Sequence, residues 1–190
     1  MERAVKPWPL LAALAVLGAG GLYASGLAMA PGSFSRHMGA HLLLSLGAAP
    51  LLVLGWPRFR PVVAGPLAFL LLNAVTYGVH LPVVYARLMT PAGMLLESLL
   101  FLGAGAVFWL RVAAGGLGAA GLLLAQMAAC ALLGAAITFS RSAYAMTTPG
   151  DTALGGVLMW VVGGFVVMAA AFYHLLVQLS VSERRHEQAT

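Results

Sequence analysis

Hydrophobic residues run along this chain in long blocks, and most charged and polar positions fall between the blocks or at their ends. A hydrocarbon core about 30 Å thick needs ~20 predominantly apolar residues per helical span. Blocks of that length lie at 8–30, 36–55, 61–81, 93–112, 115–139 and 153–180. The pattern predicts an all-α fold: a polytopic transmembrane helical bundle of about six spans, forming one integral membrane domain over residues 1–190. Pro31-Gly32, Trp56-Pro57-Arg58, Pro82, Thr90-Pro91 and Thr148-Pro149-Gly150 supply the breaks, each a turn or helix-start signal. The faintest boundary lies between the fourth and fifth blocks, where only Arg111 and Gly115-Gly116 interrupt the apolar run.

Composition agrees with the pattern. Hydrophobic residues make up 62% of the chain and charged residues 8%, against ~25% charged in a soluble domain. Arg3 and Lys6, followed by an apolar run ending in Ala28-Met29-Ala30, imitate a secretory signal. That run exceeds the roughly 7–15 residues of a signal core and reads as the first span.

The net charge of +5 is spread over single or paired basic residues without interleaved aromatics, so no nucleic-acid partner is expected. An even number of spans puts both termini on one side. Arg3, Lys6, Arg58, Arg60, Arg111, Arg184 and Arg185 fall on that side, and Arg36, Arg87 and Arg141 on the other. By the positive-inside bias the N- and C-termini are cytoplasmic.

Small residues such as Gly18, Gly20, Gly21, Gly155, Gly156, Gly163 and Gly164 read as close-approach points between helices, because lipid gives helices no hydrophobic reason to associate. Cys130, the single cysteine, rules out an internal disulfide and reads as packing. Gln126 reads as an interhelical hydrogen-bonding group. His174 reads as a buried neutral partner, and His186 as part of a solvated tail. Neither G-x-S-x-G nor H-E-x-x-H occurs, and nothing points to an enzyme.

Ionisable groups within spans are costly, about 2.5–3.5 kcal/mol for a charge at a helix centre, so their positions carry information. His37 and His41 open the second span, His80 closes the third, Glu97 with Met94 opens the fourth and Asp151 precedes the sixth. All belong to the outer face in this topology. Residues four apart share a helix side, so His37 and His41 can aim both imidazoles at one point. Asn73, Tyr77 and His80 form a polar stripe at spacings of four and three, expected to face other helices. Met29, Met38, Met89, Met94, Met146 and Met159 fall in the outer half. Thioether with imidazole suits Cu(I), while methionine is also an ordinary gap-filler.

Three blocks carry a family resemblance: "RHMGAHLLLSLGAAPLLVLG" at 36–55, "HLPVVYARLMTPAGMLLESLLFLGAGAVFW" at 80–109 and "DTALGGVLMWVVGG" at 151–164. In these the chain resembles the multi-spanning CtaG-type cytochrome c oxidase assembly proteins, as a short, divergent member. The resemblance implies a protein of the bacterial plasma membrane needed for maturation of a haem-copper oxidase, acting on copper at the extracytoplasmic face. It implies histidines at the positions of His37, His41 and His80, all present. It also implies histidines where this chain has Met94 and Ser98, and Gln where it has Thr152. Met94 retains a soft donor, whereas Ser98 does not.

Several readings stay open at the level of sequence. In the first, His37, His41 and His80 hold copper with Met38 or Met94, while Glu97, Asp151 and Tyr77 stand behind the ligands as orienting partners. In the second, the chain is an accessory or scaffold subunit that binds oxidase subunits or assembly intermediates through helix faces, its histidines serving as hydrogen-bonding groups. In a third, His41 and His80 are axial ligands of a b-type haem. A transporter is disfavoured by the lack of paired broken helices with internal symmetry.

Overall fold

The computed structural model describes residues 7–24, 33–55, 63–140, 142, 144–145 and 147–189, with side chains omitted for Ala24 and 185–189. The turns at 31–32 and 56–58, and Met29, Met146 and Arg141, lie outside the described residues. Among the described residues seven helices follow in order: α1 (Trp8–Ala24), α2 (Phe34–Gly55), α3 (Gly65–Val79), α4 (Pro82–Leu88), α5 (Pro91–Ala113), α6 (Leu117–Phe139) and α7, which starts at Pro149 and runs through Gly163–Ala189. There are no strands among the described residues. The chain is an all-α integral membrane protein.

Four helices, α2, α5, α6 and α7, are long and apolar enough to cross a membrane, and a fifth span arises if α3 and α4 count together. The count differs from six for two local reasons. Helix α1 has 17 residues, and its apolar block continues into 25–30, outside the described residues. Helix α3 has 15 residues and meets α4 at an 80° bend. Pro82 explains the bend: a proline disfavours helical backbone in the residue before it, and Leu81 is extended at ψ 127°.

Helix α2 is the centre of the bundle, packed on α1, α5 and α7, while α6 packs on α3, α5 and α7. Two glycines make this closeness possible. A Cβ on Gly155 would overlap the ring of Phe34, and one on Gly156 would collide with Thr138 and the Gly134 carbonyl. Gly20, Gly21 and Gly164 have open space instead and do not mark close approach as their spacing suggested, whereas a Cβ on Gly18 would touch Leu43 of α2 at 3.9 Å.

Helix α2 is not a regular α-helix throughout. Residues Leu43–Ala48 are π-helical, with the Ala49 N–H bonded to the Leu44 carbonyl five residues back. Pro50 offers no N–H, so the Ser45 carbonyl lacks the partner that this pattern would supply. The Trp109 indole of α5 fills the gap, donating to it at 2.8 Å. This cross-link fixes α5 against α2 one turn beyond His41. A second π-helical stretch, Leu158–Val162, lies in α7.

Candidate metal centre

The histidine-bearing start of α2 is held by another part of the chain. Ser33 precedes the helix but makes no side-chain cap. The Asp151 carboxylate does this work from α7, accepting the Phe34 N–H at 2.5 Å and the Ser35 N–H at 3.3 Å through Oδ2, and the Ser35 hydroxyl at 2.6 Å through Oδ1. A carboxylate there satisfies unpaired N–H groups and sits favourably in the helix dipole. Asp151 is positioned in turn by Thr148, whose side chain accepts the Asp151 N–H at 3.2 Å ahead of Pro149. Thr90 and Pro91 start α5 in the same way, with the Thr90 side chain accepting from Gly93 at 3.1 Å.

With those starts fixed, His37, His41 and Glu97 converge. The Nε2 of His37 lies 3.2 Å from Glu97 Oε2, and the Nε2 of His41 lies 3.2 Å from Glu97 Oε1. One donor atom from each of the three residues falls within 4.8 Å of the others. His37 and Glu97 are fully buried and His41 is 3% exposed. The approaches are close, yet they lack hydrogen-bond alignment. Both nitrogens of each ring and both carboxylate oxygens are buried without a hydrogen-bond partner among the described residues.

Leaving such atoms unpaired costs ~1–3 kcal/mol each, and more where charge is involved. An ion between the two Nε2 atoms and the carboxylate would remove the part of that cost that falls on them. Two imidazoles and a carboxylate form a donor set for a transition metal, so this group could hold one.

Aromatic rings close the site. Phe101 stacks on His41 at 4.1 Å, while Tyr85 and Tyr23 meet His37 edge-on at 5.3 and 5.5 Å. These rings keep water from the ligands and fix the imidazole planes. The His37 and His41 centroids are 4.3 Å apart.

The other residues expected from sequence divide into neighbours and outsiders. His80 is buried beside the group, its ring 5.7 Å from that of His41. Its Nδ1 bonds the Thr76 carbonyl at 2.5 Å, and its Nε2 faces the Met38 sulfur at 3.1 Å. In the neutral ring the carbonyl contact puts the proton on Nδ1, so an imidazole lone pair and a thioether face each other. Met94 is buried in the apolar cluster with Phe34, Met38, Tyr85 and Met159. The cavity bordering His41 measures about 40 Å³.

Three role assignments change. Glu97 does not stand behind an imidazole; it faces both Nε2 atoms directly, because α5 lies against α2. Asp151 touches neither ring and acts on backbone N–H groups. Tyr77 leaves the cluster altogether: its hydroxyl donates to the Ala129 carbonyl of α6 at 2.8 Å, and the residue is 38% exposed. From the same stripe, Asn73 donates to Gln126 at 2.8 Å, and Gln126 donates to Cys130 at 3.2 Å. His174 is half-buried at an edge-on contact with Tyr173, away from the cluster.

The family model for the cytochrome c oxidase caa3 assembly factor matches residues 4–180, nearly the whole chain. The chain belongs to this family. The caa3 assembly factor model spans α1 to α7 and includes the buried His37, His41 and Glu97 group. No curated protein and no solved structure matches the chain.

Proposed function

We propose that this caa3 assembly factor binds a copper ion at His37, His41 and Glu97 and hands it to a haem-copper oxidase subunit docked within the bilayer. The observation that carries the reading is the buried, mutually facing set of unpaired donors. His80 and Met38 form a neighbouring donor pair 3.1 Å apart. Copper would supply no bond chemistry in this protein; the residues bind it, keep it dry and release it to a competing set of ligands. A carboxylate among two imidazoles suits that task, because an all-sulfur set would hold a soft ion more firmly.

The ligands lie near the starts of α2 and α5, and the bias of basic residues toward the opposite end supports an extracytoplasmic location. The chain does no catalysis in this scheme.

The test is metal analysis of purified full-length protein after copper loading. Stoichiometric copper that is lost in Glu97→Gln and in His37→Ala, with oxidase copper content falling in cells carrying those variants, is the expected result. Wild-type copper no higher than in Glu97→Gln would overturn it. Oxidase co-purification with unaltered oxidase copper would favour the accessory-subunit role instead.

A further inference from the structure

The cavity bordering His41 lies deeper in the bundle than the Glu97 carboxylate. It measures about 40 Å³, and its lining includes Met38, His41, Cys130 and Met159. These side chains come from three helices that the sequence separates widely, α2, α6 and α7. Cys130 lies nine residues before the end of α6 at Phe139, or ~14 Å along the axis at 1.5 Å per residue. The cavity therefore reaches inward from the first ligand group.

Its lining residues offer one thiol and two thioethers, while the side chains of Ser45, Thr76 and Gln126 are already committed to hydrogen bonds within the protein. The fourth donor, His41, is 97% buried, turns Nε2 toward Glu97 and keeps Nδ1 without a hydrogen-bond partner among the described residues. The Gln126 amide donates to the Cys130 sulfur at 3.2 Å, and the Met38 sulfur lies 3.1 Å from His80 Nε2. A space of this size exceeds the ~10–15 Å³ needed for one water, and three of its donors are poor partners for water. Soft donors of this kind select a soft monovalent cation over a hard divalent one.

We propose that this cavity is a second, thiophilic site for a monovalent ion of the Cu(I) class, sharing His41 with the His37 and Glu97 group. Cys130 binds as thiolate, its proton leaving to the medium as the ion arrives, while the thioethers and the imidazole bind without deprotonation. The two nitrogens of one imidazole point apart, so His41 can serve both ligand sets at once, one nitrogen to each. The inference rests on the copper reading only for the ion's biological identity; the site is defined by its sulfur donors.

Silver ion, soft, monovalent and redox-inert, is the probe. Purified full-length protein should bind Ag(I), and X-ray absorption should show sulfur in its coordination shell. Cys130→Ser with Met159→Leu should weaken binding about tenfold or more, whereas Tyr77→Phe, which belongs to neither ligand set, should leave it unchanged. Silver bound by nitrogen and oxygen only, or sulfur coordination that survives in the double variant, would overturn the proposal. If the double variant fails to fold, the wild-type coordination shell decides by itself. Failure of copper binding at Glu97 with sulfur-coordinated silver retained would sink only the reading above.

Discussion

Asp151 and Phe34 are 117 residues apart in sequence, and the carboxylate of one accepts the backbone N–H of the other at 2.5 Å. This contact ties the start of α7 to the start of α2, three residues before His37. It makes ligand geometry dependent on a residue that touches no ligand. Asp151→Ala should lower stability by ~1–2 kcal/mol, the range for a lost helix cap. Metal affinity should fall with it, because the first turn of α2 loses its anchor. Asp151→Asn, which keeps an acceptor but no charge, should recover part of both. A thermal midpoint and copper affinity equal to wild type in Asp151→Ala would show that the cap is dispensable.

Glu97→Gln gives the opposite separation of binding from stability. The substitution preserves volume and removes a buried charge that has no aligned hydrogen bond. Metal binding should drop by at least about tenfold, while the metal-free protein remains folded. A bound metal stabilises by mass action, so chelation should lower the melting temperature of wild type and leave Glu97→Gln unaffected. Equal chelator sensitivity in the two proteins would place the ion elsewhere.

The spacing of His37 and His41 made their convergence legible in the sequence, since residues four apart share a helix face whatever the fold. The role of Glu97 was not legible, because it depends on which helix packs against α2, and helix order is a tertiary property. Tyr77 fails for a different reason. The stripe Asn73, Tyr77, His80 assumes one continuous helix, but α3 ends at Val79 and His80 sits in the bend. Periodicity carries Asn73 and Tyr77 to α6, while the bend turns His80 toward Met38 on α2. Pro50 was a readable signal for the irregularity in α2, as a proline inside an apolar span must free a carbonyl. The π-helical stretch in α7 has no such residue within it.

Tyr77→Phe follows from that difference as a control. It removes one half-exposed hydrogen bond to Ala129 and should cost ~0.5–1.5 kcal/mol. Copper and silver binding should stay at wild-type values, measured on the same preparations as Glu97→Gln. A loss of metal in Tyr77→Phe would mean that α3 and α6 position the ligands more tightly than their contacts indicate.

Gly155, near the start of α7, and Gly164, after its π-helical stretch, separate packing from spacing. At Gly155 an added methyl group meets the ring of Phe34, which is fully buried and follows the cap residue of α2. Neither partner has room to move, because Phe34 is packed between Tyr85 and Tyr144 at ring distances of 5.4 and 4.7 Å. Gly155→Ala should therefore destabilise by ~1–3 kcal/mol, as over-packing does, and should loosen the metal group by pushing α2 away from α7. At Gly164 nothing lies within 4 Å of an added Cβ. Gly164→Ala should be neutral or stabilising, since alanine is the better helix former by ~1 kcal/mol. Thermal melts of the two variants in the same detergent check the contrast; equal changes at both sites would mean that the contact with Phe34 does not set the effect.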